Sequence, residues 1–148
     1  MLTEKSEAEN IDSFGSEELD KLVHKLRTTS EPRKRYEYLL WLGKSLPALP
    51  QESFNESIKV KGCISKVYVL GNLSKGKMSW NGYSDALITK GILAFLIKGL
   101  SNLSPEEVLN VNPKFIEATG LSKTLTQSRV NGFLNIFIKM KEQAHLLL

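Results

Sequence analysis

Cys63 is the sole cysteine of the 148-residue chain and stands in the string Lys61-Gly62-Cys63-Ile64-Ser65-Lys66-Val67. One sulfur excludes an internal disulfide, a thiol pair, and a cysteine-built zinc or iron–sulfur cage within this chain. What remains is nucleophilic attack or covalent carriage of a group, and both need the thiolate. Gly62 before the cysteine and a β-branched run after it place it where a loop enters a strand. Lys61 and Lys66 are expected to favour the thiolate. An unpaired cysteine is also a common small buried hydrophobe, so the local features leave both readings open.

Other thiol chemistry lacks its usual accessories. A cysteine hydrolase needs a histidine base beside the thiol. The two histidines, His24 and His145, lie far along the chain and in no recognisable motif. A thiol redox protein is the alternative function, but with no resolving cysteine it would depend on external thiols.

The elements that must position Cys63 are legible from pattern. Residues 1–15 are polar and aperiodic, a flexible acidic tail ahead of a single domain over residues 16–148. Ser16 is a good N-cap, followed by Glu17 and Glu18, with Leu19, Leu22, Val23 and Leu26 on one helical face. His24 falls outside that stripe. Ser30-Glu31-Pro32 starts a second helix, with Tyr36, Leu39, Leu40 and Gly43 facing inward and an end near Leu46, before Pro47 and Pro50. Between residues 57 and 82 the character turns to strand. Ile58 and Val60 form a short approach strand, residues 64–70 a strand, 71–76 a turn and 77–81 the returning strand. Ser84 or Asp85 then caps a helix whose body, residues 86–100, is apolar nearly all round and belongs in the core. Ser104-Pro105-Glu106-Glu107 opens another helix. A short one near residues 113–119 ends at Gly120, and Thr126 opens a last helix carrying Val130, Phe133, Leu134 and Phe137. Helices, a strand block and helices again predict an α+β fold, a small antiparallel sheet of about three strands covered by helices.

Composition narrows the setting. Hydrophobic residues are 41% and charged residues 24%, ordinary for a globular protein. The longest strongly apolar run, residues 92–97, is far shorter than the roughly 20 residues of a membrane helix. Met1-Leu2-Thr3-Glu4-Lys5 leads into acidic residues, unlike a secretory signal. A reducing, cytoplasmic compartment is expected, or a plastid stroma if a transit peptide has been removed. The net charge of +4 is uneven: residues 1–20 hold seven acidic and one basic side chain. The basic remainder has no run of five or more cations, so nucleic-acid binding is not expected.

Four blocks of the sequence together resemble the SufE family. They are Tyr36-Glu37-Tyr38-Leu39-Leu40-Trp41-Leu42-Gly43-Lys44-Ser45-Leu46-Pro47-Ala48-Leu49-Pro50, then Gly62-Cys63-Ile64-Ser65-Lys66-Val67, then Gly82-Tyr83-Ser84-Asp85-Ala86-Leu87-Ile88-Thr89-Lys90-Gly91, and finally Leu125-Thr126-Gln127-Ser128-Arg129-Val130-Asn131-Gly132. The chain departs from the family's pattern at Ile58, Lys66 and Tyr68.

The resemblance implies a SufE and U-type scaffold-like fold and the role of a sulfur acceptor. A pyridoxal-phosphate-dependent cysteine desulfurase (SufS-like) would load sulfur on Cys63 as a persulfide. The chain would stimulate that enzyme and pass the sulfur to an iron–sulfur scaffold (SufBCD-like). It implies an accessory protein rather than an independent enzyme, binding neither cofactor nor metal itself, with a homodimer compatible. U-type scaffolds themselves use several cysteine ligands, against the one here. Gly62 would free the loop to swing; Ser65, Lys66, Asp85 and Arg129 would support the loop or dock the partner, and Arg129 could instead steady the persulfide anion. Asp85 also reads as a cap or first-turn acid, Arg129 as one half of an ion pair, and Tyr36 as core. Gly82 and Gly91 read as turn and close-packing positions.

Overall fold

Leu19, Leu22, Val23 and Leu26 are all buried, on a helix α1 spanning Glu17–Thr28. The computed structural model describes residues 13–148. Ser16 caps α1 by accepting the Leu19 N–H at 3.2 Å, and its hydroxyl donates to the Gly99 carbonyl at 2.7 Å. The tail expected over residues 1–15 lies outside the described residues through position 12. Its end belongs to the domain: Phe14 is buried, its N–H donates to Asp20 and its carbonyl accepts from Asn112.

Helix α2 spans Pro32–Gly43 and buries Leu39, Leu42 and Gly43. Two expectations need correction here. Tyr36 is 41% exposed rather than core, because the buried face is centred on Leu39 and Leu42. The helix also stops at Gly43, three residues earlier than expected; the next three amides bond in short turns.

The sheet is an antiparallel hairpin of two strands, β1 (Val67–Ser74) and β2 (Lys77–Ser84), in register from Val67 opposite Ser84 to Ser74 opposite Lys77. The third strand expected at Ile58 and Val60 is reduced to one bridge, Lys59 opposite Tyr68, after a single helical turn over Glu56–Ile58. The turn is two residues long, Lys75 and Gly76, both with positive φ, as a tight hairpin loop requires. Gly71, Asn72, Leu73 and Ser74 therefore belong to β1.

Helix α3 (Leu87–Leu100) is buried on nearly every side, packed on α2, the hairpin, α1 and a long C-terminal helix. Two short helices follow, α4 (Pro105–Leu109), opened by a capping box of Ser104 and Glu107, and α5 (Phe115–Ala118). Gly120 follows α5 with φ +72°, in the left-handed conformation of a helix stop. Thr126 caps the last helix, α6 (Gln127–Leu146), which buries Gly132, Phe133, Ile136, Phe137, Met140 and Ala144 and leaves Leu134 exposed. Phe95, Phe115, Phe133 and Phe137 meet edge to face at the centre of the core.

A second small cluster forms around Leu49, Ile58 and Tyr68, with Phe54 stacked on Tyr68 at 4.4 Å. It fastens the segment after α2 to the hairpin, helped by the Gly82 N–H donating to the Pro47 carbonyl. The chain is thus delivered to Cys63 between two anchored points, the Leu49 cluster behind and β1 ahead.

Candidate functional site

The segment from Gly62 to Ser65 lies along one face of α6. Arg129, Gly132 and Asn135, three residues apart, present to that face in turn, since an i, i+3, i+6 series winds slowly round a helix. Asn135 Nδ2 donates to the Gly62 carbonyl at 3.1 Å. Cys63 Sγ lies 3.9 Å from the Gly132 carbonyl. Arg129 Nη1 donates to Ser65 Oγ at 2.6 Å and to Thr89 Oγ1 at 2.5 Å. Loop and helix run antiparallel, residue against residue.

Gly62 has φ +80°, and a Cβ there would stand 2.6 Å from Asn135 Nδ2. The backbone conformation favours glycine, and a Cβ would displace the Asn135 amide that holds the Gly62 carbonyl. From the opposite side Asp85 Oδ1 accepts the Lys66 N–H at 2.9 Å. Helix α3 consequently begins at Leu87 with Ala86 as its N-cap. Neither Ser84 nor Asp85 caps it: Ser84 stays in β2, and the Asp85 carboxylate is turned toward the loop.

Cys63 is half-buried. Burial pushes its thiol pKa up, and the Arg129 guanidinium acts against that rise. The lysine expectation is corrected here. Lys61 and Lys66 are exposed and their charges are lost to solvent, while the cation acting on Cys63 comes from α6. Arg129 is engaged by two hydroxyls rather than by a carboxylate.

Sequence reasoning did not single out Thr89, Gly132 or Asn135 as site residues. Thr89 and Gly132 lay within the matched blocks; Asn135 carried no signal until the loop was laid on the helix. Ile64, beside the cysteine, is 80% exposed, and Leu87 is similarly bare. A cleft of about 250 Å³ flanks the loop, lined by Lys59, Lys61 and Lys139 with Asn135, Ile138 and Glu142. Among the described residues no group of three or more His, Cys, Asp or Glu side chains gathers as a metal site. No helix among them is long and apolar enough to cross a membrane.

The arrangement offers one half-sheltered sulfur on a loop that turns at a glycine, with an arginine beside it. The SufE family model, described as Fe-S metabolism associated domain, matches residues 20–144. An uncharacterised SufE-like protein of Synechocystis sp. is 47% identical over 126 residues, covering 85% of this chain and 79% of that protein. A cysteine desulfuration protein SufE of Plasmodium vivax is 42% identical over 132 residues, covering 81% of this chain and 52% of that protein. The chain therefore spans about half the length of that second relative. A hypothetical protein from Thermus thermophilus, known from its solution structure, has a TM-score of 0.77 at 23% identity, over 88% of this chain and 96% of that one. That likeness is one of fold. With the family's sequence pattern running through both elements that hold Cys63, the β1–β2 hairpin and α6, the chain belongs to the SufE family.

Proposed function

We propose that the protein is a sulfur carrier for iron–sulfur cluster assembly, accepting sulfur on Cys63 from a cysteine desulfurase. The Cys63 thiolate attacks the outer sulfur of the donor's persulfide. A new S–S bond forms to Cys63, the donor's S–S bond breaks, and the electron pair leaves on the donor thiolate. The outer sulfur keeps its proton, so the product is Cys63–S–SH and a free donor cysteine. Passage to an acceptor thiolate is the same exchange in the other direction, and its rate depends on thiolate fraction and access.

The observation that carries this reading is the mounting of the loop. Residues 62–65 are held on α6 by the Asn135 and Arg129 side chains and the Gly132 carbonyl, and Asp85 holds the next residue, Lys66, with no ladder of backbone bonds across the loop. The loop can rise from α6 into a partner's site without unwinding a helix or strand. Ile64 and Leu87 supply exposed apolar surface next to it, and the lysine-lined cleft supplies charge for an acidic partner segment. Burial and the raised pKa keep the resting thiol quiet, which limits oxidation between transfers.

The test is intact mass after incubation with a cognate cysteine desulfurase, pyridoxal phosphate and cysteine. A gain of one sulfur, reversed by reductant and absent from Cys63→Ser, is the expected result. No gain with a demonstrably active desulfurase returns Cys63 to a packing role.

A further inference from the structure

Gly132 sits inside the twenty-residue helix α6 and is buried. A glycine in a helix interior costs about 0.5–1 kcal/mol relative to alanine. Elsewhere in this fold such glycines are imposed by atoms already in place. A Cβ at Gly91 would stand 2.1 Å from the Leu39 carbonyl oxygen, and one at Gly99 2.8 Å from the Leu19 side chain. At Gly132 the surroundings are different. Beyond the helix itself a Cβ would meet one atom within 4 Å, the Cys63 Sγ, at 3.5 Å. That is an ordinary van der Waals separation, so alanine fits the resting protein and would strengthen its helix.

We propose that the space beside Gly132 is the seat of the outer sulfur when Cys63 is loaded, and that Gly132 is a positioning residue for the persulfide. The inference rests on the carrier reading above and adds where the cargo lies. A second sulfur bonds to the first at about 2.05 Å. Placed obliquely beside residue 132, at contact distance from the Gly132 Cα, it would overlap a Cβ held 3.5 Å from Sγ, whereas glycine leaves that position free. The seat has polar partners for either protonation state. The Gly132 carbonyl, 3.9 Å from Sγ, can accept from an S–H, and Arg129, whose charge already acts on Cys63, faces an S⁻. In this seat the outer sulfur is turned from solvent and from stray nucleophiles. Lifting the loop off Asn135 exposes it to a chosen acceptor.

The test uses the full chain loaded chemically with sodium tetrasulfide and desalted, comparing wild type, Gly132→Ala and Cys63→Ser. Intact mass reports loading. Cyanide then attacks the outer sulfur, releasing thiocyanate and the Cys63 thiolate, at a rate that reports shelter. Gly132→Ala is expected to melt no lower than wild type and to react with iodoacetamide, as the free thiol, at the wild-type rate. Its persulfide is expected to be lost to cyanide several-fold faster, because the outer sulfur must turn outward. Equal cyanide rates for loaded wild type and loaded variant would overturn the seat while leaving the carrier reading intact. An equal acceleration of free-thiol alkylation would overturn it too, since alanine would then merely have displaced the loop. Failure of wild type to gain sulfur at Cys63 under both chemical and enzymatic loading would sink the carrier reading and the seat together.

Discussion

Asp85 and Lys66 grip each other twice: the Asp85 carboxylate accepts the Lys66 N–H at 2.9 Å, and the Asp85 N–H donates to the Lys66 carbonyl at 3.2 Å. The second bond is backbone to backbone and survives any substitution of the side chain. The first ties the far end of the cysteine loop to the entrance of α3. Asp85→Ala is therefore expected to leave the fold in place, lower stability by about 1 kcal/mol and speed alkylation of Cys63 by freeing the loop. Iodoacetamide kinetics beside a urea titration would check this; an unchanged alkylation rate would show that the carboxylate does not restrain the loop.

Removing Arg129 has a signed electrostatic outcome. Its guanidinium lowers the Cys63 pKa against the larger upward push of burial, so Arg129→Ala raises that pKa further. The pH profile of Cys63 alkylation should shift to higher pH, with a slower rate near neutrality. Because the native pKa already lies above the unfolded one, the protonated thiol contributes stability in full below the unfolded pKa. That contribution is lost as pH rises through the native value. Stability measured against pH should thus decline on the alkaline side, and in Arg129→Ala the decline should start at the same pH but continue to a higher one and be larger. Ser65 and Thr89 lose their shared donor in that variant, at a cost of about 1–2 kcal/mol.

Gly91 allows the backbones of α2 and α3 to touch. With the Leu39 oxygen 2.1 Å from where a Cβ would stand, Gly91→Ala must push the helices apart. A loss of at least about 3 kcal/mol is expected, within the range of severe overpacking, and the variant should express poorly. Thermal melting against Gly76→Ala, a substitution at the open hairpin turn, would separate packing from backbone strain.

Gln143 of α6 completes the hairpin. Its Oε1 accepts the Gly71 N–H at 2.8 Å and its Nε2 donates to the Val69 carbonyl at 2.6 Å, the pair of bonds a neighbouring strand would make. Gln143→Leu keeps the bulk but leaves two backbone groups without partners. A loss of about 1–3 kcal/mol in urea unfolding is expected, with faster amide exchange at Gly71. Wild-type exchange at Gly71 in the variant would contradict this account.

Much of the helical framework could be read from the chain because its signals are local. Ser16, Ser104 and Thr126 each cap the helix they precede, and the Leu19–Leu26 stripe is buried as its spacing requires. The hairpin was harder. Gly71 and Asn72 look like turn residues, yet they pair with Trp80 and Ser79, and the actual turn is Lys75-Gly76. Gly71 serves the space filled by the Trp80 and Met78 side chains, a cross-strand fact that no local window contains. The approach strand failed for a similar reason, since Lys59 finds a partner in Tyr68 for a single bridge only.

At the candidate site the order of the blocks was legible, but their contacts were not. The lysines next to Cys63 in sequence drew attention to the wrong cations, because long exposed side chains extend into water. The acting charge, Arg129, comes from a helix sixty-six residues onward. Asp85 carried two readings, a helix cap and a support of the cysteine loop, and the fold shows its carboxylate bonded to the Lys66 N–H instead of capping. Asn135 had no sequence signal at all; its role follows from the register of the loop on α6.

The amide of Gln143 carries one more consequence, for how the protein behaves among many copies of itself. A sheet of two strands has two rims, and an open rim invites the same rim of another molecule to add to it. Here one rim is occupied in part by a side chain of the same chain, which cannot propagate the pattern because it offers no further row of donors and acceptors. A chain losing that stopper would first reveal itself by light scattering at high concentration.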